Sequence, residues 1–130
     1  MIGHLIDFFA KRIEEKRHFV PKITLRIHEK MRQRGEEPKE IQRGLSKEQE
    51  ITLLNALSET LSYYLDYQDT ITLYADYEPQ GILREVAEKA NLSATDFVWY
   101  TMLPFKLNIY VTKNSLVISD NGEIVLEIKE

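Results

Sequence analysis

Residues 82–102 read I-L-R-E-V-A-E-K-A-N-L-S-A-T-D-F-V-W-Y-T-M. The spacing predicts two short helices across a tight corner. Helix 82–90 turns Val86, Ala87 and Ala90 inward. Asn91-Leu92-Ser93 makes the turn, and Asn tolerates the left-handed backbone that a sharp helix–helix corner requires. Ser93 is placed to cap the second helix, and Asp96 suits its first turn. Phe97 and Tyr100 return to the core, and Pro104 ends the helix.

Upstream of the corner, residues 46–67 form the strongest helical pattern. Ser46 followed by Gln49 is a capping-box pair, with Glu48 and Glu50 in the first turn. Ile51, Leu54, Leu57, Leu61, Tyr64 and Leu65 make a broad apolar face, widened by Leu53 and Ala56. This helix is read as central. Tyr63, Tyr64 and Tyr67 crowd its end. Residues 70–75 alternate as a strand, with Ile71, Leu73 and Ala75 inward. Asp76 through Gly81 reads as a turn carrying Pro79.

Downstream, residues 107–128 read as a β-meander. Leu107, Ile109 and Val111 alternate with polar neighbours, and Leu116 and Ile118 continue the face after the Lys113-Asn114 corner. Asp120-Asn121-Gly122 is a strong hairpin turn. Ile124, Leu126 and Ile128 are expected to finish the apolar face. The sheet should bury one side and leave the other wet.

The N-terminal part is helical and basic. Ile2, Leu5, Ile6, Phe9 and Ile13 form one stripe of a helix over 2–17, with Lys11, Arg12, Lys16 and Arg17 among the charges on its other sides. Phe8 sits off the stripe. Residues 19–34 carry two patterns. Ile23, Leu25 and Ile27 alternate as a strand would, while Ile23, Ile27 and Met31 form a helical stripe between Pro21 and Gly35. The boundary signals and the length favour a helix. Residues 35–45 read as a polar, mobile connection anchored by Ile41 and Leu45.

These elements give one α+β domain over residues 1–130. N-terminal helices and a central helix pack on an antiparallel sheet, with a helix-turn-helix-like corner before a C-terminal β-meander. The composition, 43% hydrophobic and 29% charged, is that of an ordinary globular chain. Charge is unevenly spread. Residues 1–47 hold 12 Lys/Arg against 7 Asp/Glu, net +5; residues 48–130 hold 5 against 14, net −9. Residues 1–45 thus read as a basic helical arm and connection, and 46–130 as an acidic core. Such a split suits either an arm that reaches for a polyanion or two parts that attract each other. There is no Cys, which excludes disulfides and thiolate metal sites and fits the cytoplasm. The apolar N-terminus is too interrupted for a signal peptide and too short for a membrane span, so no membrane is expected among the partners.

The corner resembles the helix-turn-helix of bacterial and phage DNA-binding regulators, through Val86, Ala87, Ala90, Asn91, Leu92, Phe97 and Tyr100. Ala87 matches the family's small residue, and Asn91 stands where the family has Gly. The order of helix, strand, two helices and hairpin is similar to a winged helix. That resemblance implies a second helix lying in the major groove. Its outward positions here are Thr95, Val98, Trp99 and Met102, beside Asp96, with no Lys or Arg to read bases or hold phosphates. An outward Val98-Trp99-Met102 patch instead suits a protein partner or a second copy of the chain. Tyr63 and Tyr67 are a second candidate contact. The phosphate-binding alternative falls on the basic segment, at Lys22, Arg26, Lys30, Arg32 and Arg34.

Signals for catalysis are thin. His4, His18 and His28 stand 14 and 10 residues apart, unlike the short spacings of metal pairs. Asp120 with Glu127-Ile128-Lys129 resembles the D…ExK pattern of metal-dependent nucleases, without the helix that follows it there. Asp76 and Glu78 flank Tyr77 and read equally well as a solvated turn. The expectation is a small non-catalytic protein without cofactor or metal. It binds another protein or itself through the Trp99 region, and the alternative is a DNA-binding regulator.

Overall fold

The computed structural model describes residues 1–19, 22–38, 44–101 and 106–130. Among these residues five helices and five strands follow in the order α1 (Ile2–His18), α2 (Lys22–Gln33), α3 (Lys47–Tyr67), β1 (Ile71–Asp76), β2 (Pro79–Gln80), α4 (Gly81–Lys89), α5 (Ala94–Thr101), β3 (Lys106–Val111), β4 (Ser115–Asp120) and β5 (Glu123–Lys129). The α+β architecture expected from the sequence is present. The expected roles of Pro21, Ile41 and Pro104 fall outside the described residues.

All strands are antiparallel in one sheet, ordered β2-β1-β3-β4-β5. Alternation decides its faces. Ile71, Leu73, Ala75, Leu107, Ile109, Val111, Leu116 and Ile118 are buried on one side. Tyr74 and Tyr110 stand exposed on the other. Leu5, Phe9 and Ile13 of α1, spaced by four residues, join the same core with Leu53, Leu57 and Leu61 of α3. Helix α1 packs on α3 and α5, and α3 packs on α4.

Local chemistry explains the boundaries. The capping box at α3 is formed in both directions, Gln49 N–H to Ser46 Oγ at 3.1 Å and Ser46 N–H to Gln49 Oε1 at 3.0 Å. Asn91 turns the corner at φ 57°. The Asp96 N–H donates to Ser93 Oγ at 3.1 Å. Asn121 and Gly122 make the β4–β5 hairpin at φ 50° and 88°, where positive φ suits Asn and Gly.

Three expectations are corrected. Ile124 does not complete the buried face. The β4–β5 register slips between Ile118 and Ser119, which sets Ile124 opposite Ser119 and leaves it 62% exposed. Ile51 likewise lies outside the core face of α3 and is exposed. Residues 76–81 are not turn alone, because Pro79 and Gln80 pair with Ala75 and Tyr74 as the edge strand β2. Pro is tolerated at such an edge.

The two ends of the segment containing α2, Arg17 and Gly44–Leu45, lie at one point. The Arg17 guanidinium donates to the Leu45 carbonyl from Nε at 3.2 Å and from Nη2 at 3.0 Å. It also pairs with Glu50 at 3.1 Å and with Glu14. Leu45 is buried beside this contact. A Cβ on Gly44 would meet the Arg17 Cα at 3.0 Å, so the chain returns there without room for a side chain. Closing a loop of this length costs roughly 3 kcal/mol. Burial of Leu45 supplies roughly 1.5–3 kcal/mol, and charge-assisted hydrogen bonds contribute about as much again. Replacing Arg17 with Ala should lower stability by about 2–3 kcal/mol, read as a fall in the urea midpoint. Arg17→Lys should recover only part, because an ammonium cannot fork across the carbonyl and Glu50. An unchanged midpoint in Arg17→Ala would show that the loop is closed elsewhere.

Candidate protein-binding surface

Helix α5 turns Phe97 and Thr101 into the core, spaced by four residues. The same spacing sends Trp99 outward, where it is 57% exposed. One ring face is covered from below. The Lys16 ammonium lies 3.5 Å from the Trp99 ring centroid and 5.3 Å from that of Phe19. Lys16 itself is only 6% exposed. Lys16 is not one of the charged outer sides of α1 as its type suggests: seven residues after Phe9 and three after Ile13, it continues the buried stripe, and its ammonium lies against the indole. No carboxylate among the described residues lies within ion-pair distance of it.

Magnitudes decide the electrostatics of this contact. A cation–π contact returns roughly 0.5–2 kcal/mol, whereas desolvating an ammonium costs several kcal/mol. Burial therefore wins, and it lowers the Lys16 pKa below the usual lysine range.

Around this centre, Phe19 and Tyr77 are exposed aromatics. Tyr77 holds φ 61°, unusual for a bulky side chain. A cleft of about 210 Å³ separates the β1–β2 turn from α5, lined by Tyr77, Glu78, Ala94, Thr95, Val98 and Trp99. Val98 is half-buried along it. Trp99 and Val98 thus meet at one cleft, while Met102 lies outside the described residues. Tyr63 and Tyr67 are exposed, with ring centroids 5.0 Å apart. They stand far from this cleft: α1 reaches α3 at Glu50, beside Lys16, and the 13 residues from Glu50 to Tyr63 span about 20 Å of helix. The structure does not bring the two candidate contacts together.

Helix α2 is the second feature of the surface. None of its residues is buried. Ile23 and Ile27 are 68% and 52% exposed, and Leu25 is exposed as well. Lys22, Arg26, Lys30, Arg32 and Arg34 are all exposed. Two residues separate Phe19 from Lys22, so chain geometry alone holds the start of α2 within about 11 Å of the Phe19–Trp99 patch.

Sequence reasoning missed Phe19 and Tyr77 as parts of this patch. An aromatic next to the helix end, and a Tyr inside an acidic turn, were the available signals. The nuclease-like residues do not converge on a metal site. Asp120 lies 3.9 Å from Arg12, and Glu127 pairs with Lys129 at 3.1 Å. Among the described residues no group of three or more His, Asp or Glu side chains could hold a metal ion. His18 pairs with Glu14 at 2.8 Å, which with the neighbouring cations lowers the Glu14 carboxyl pKa. No helix among the described residues is long and apolar enough to cross a membrane.

No protein family's sequence profile matches the chain, and neither does any curated protein or solved structure.

The Lys16–Trp99 contact has a pH signature. A lysine whose folded pKa lies below its unfolded value binds fewer protons when folded, so stability rises with pH between the two values. Trp99 is the only tryptophan, and its emission reports the ammonium at its face. It should change with pH at a midpoint below the usual lysine range, and Lys16→Met should remove that transition. Identical fluorescence titrations of the two proteins would show that the ammonium does not sit on the indole.

Proposed function

We propose that this protein is a non-catalytic protein-binding module, contacting its partner through α2 and the adjoining Phe19–Trp99–Tyr77 patch. The observation that supports this best is the state of α2. A helix of 12 residues is marginal in water on its own, yet α2 has no fully buried residue, only Thr24, His28 and Met31 partly covered, and presents Ile23, Leu25 and Ile27 outward. Covering Ile23 and Ile27 would contribute roughly 1.5–3 kcal/mol each. Exposed Trp and Tyr beside Arg-rich surface is also the composition of interaction hot spots.

Photo-crosslinking tests this reading. A photoreactive amino acid at position 27 or 99 should give discrete protein adducts in cells that express the chain. The same group at exposed Lys113, in the β3–β4 corner, should not. Absence of adducts at positions 27 and 99, or an equal pattern at 113, would contradict the reading.

A second reading rests on the exposure of Lys22, Arg26, Lys30, Arg32 and Arg34. It makes α2 a phosphate-binding arm of a winged-helix-like DNA regulator. Salt separates the two, since phosphate contacts release counterions and weaken steeply as salt rises. The protein-binding reading predicts no anisotropy change with labelled duplex DNA at about 50 mM salt. Binding there that collapses as salt is raised would favour the DNA reading.

A further inference from the structure

Two exposed helix faces in this chain are complementary. On α2, Ile23 and Ile27 are flanked by Lys22, Arg26 and Lys30, which follow one another at intervals of four. Helix α2 carries four basic residues and one acidic residue, net +3. On α3, Glu48, Ile51, Glu59, Tyr63, Asp66 and Tyr67 are all exposed and fall on one side of the helix by their spacing. That face offers two tyrosine rings and an isoleucine among carboxylates, and it contains no cation.

Neither set of charges is satisfied among the described residues. Among the described residues, no carboxylate is within ion-pair distance of Lys22, Arg26 or Lys30, and no cation is within that distance of Glu59 or Asp66. Helix α2 also fits within the length of that face. Helix α2 is about 18 Å long, and the face from Glu48 to Tyr67 runs about 30 Å.

We infer that α2 docks on this outer face of α3 of a second copy of the chain. The inference rests on the protein-binding reading above and names its partner. Ile23 and Ile27, one turn apart, meet the Tyr63–Tyr67 pair, also one turn apart, and the cations beside them meet Glu59 and Asp66. The contact comes in pairs. A copy that receives α2 offers its own α2 in return, which is the isologous two-fold arrangement common among homodimers. Phosphates would pair the cations and leave both isoleucines in water, whereas the α3 face covers both.

Charge reversal tests the pairing of these two surfaces. By light scattering after size exclusion, the parent chain should have the mass of a dimer at high micromolar concentration. Arg26→Glu with Lys30→Glu should weaken association at least about tenfold. Glu59→Lys with Asp66→Lys should do the same. An equimolar mixture of these two variants restores opposite charge at both contacts and should recover the dimer mass, as should the chain carrying all four changes. Circular dichroism confirms that each variant is folded, and the mixture and the four-change chain serve as internal controls. A parent that remains monomeric overturns the inference. So does a dimer indifferent to either reversal, or a mixture that fails to recover. If position 27 crosslinks to a different protein while the parent is monomeric, this inference falls and the protein-binding reading stands.

Discussion

The contact between Arg17 and Leu45 fixes what belongs to this fold and what does not. Before it, α1 lays Leu5, Phe9 and Ile13 into the core. After it, α3 begins at a formed capping box and supplies the core's central layer. The residues between them leave and return through one point, where the Arg17 guanidinium spans the Leu45 carbonyl and Glu50 and Gly44 lets the backbone pass. Among the described residues α2 contributes no fully buried side chain, unlike every other helix.

Much of the fold is legible in the sequence because its signals are local or strictly periodic. Ser46 with Gln49 marks the start of α3, Asn91 the corner and Asn121-Gly122 the hairpin. In each, a side chain or a permissive backbone satisfies one geometric need, with no help from distant residues. The alternation in β1, β3 and β4 likewise fixes which face is buried. The errors arise where distant residues decide. Ile124 fits a period of two, but the bulge opposite Ser119 moves it out. The run Ile124-Val125-Leu126 already breaks strict alternation, and that is the one local trace of the slip. Ile51 fits the stripe of α3 but lies beyond the elements that cover the helix.

The candidate surface was less legible than the fold, for an electrostatic reason. Charge asymmetry along the chain does not say which charges are held internally. Arg17 pairs with Glu50, and Arg12 approaches Asp120, so part of the basic segment binds the acidic segment of the same chain. Lys16 is withdrawn under Trp99; it follows Phe9 by seven residues and Ile13 by three, so the helical period itself puts its stem on the buried face of α1. The cations left exposed on α2 are those that the closed loop carries away from the core. Burial of a lysine against the only tryptophan also ties the exposed Trp99 to α1.

The central claim is that α2 receives little support from its own domain, since none of its residues is fully buried. Hydrogen exchange of the α2 amides in dilute protein tests it most directly. A 12-residue helix without packing opens readily. Residues 22–33 should exchange orders of magnitude faster than the amides of α3, whose inner face is buried. Protection of α2 equal to that of α3 in a dilute, monomeric sample would contradict the account, because it would require a stabilising contact within the chain.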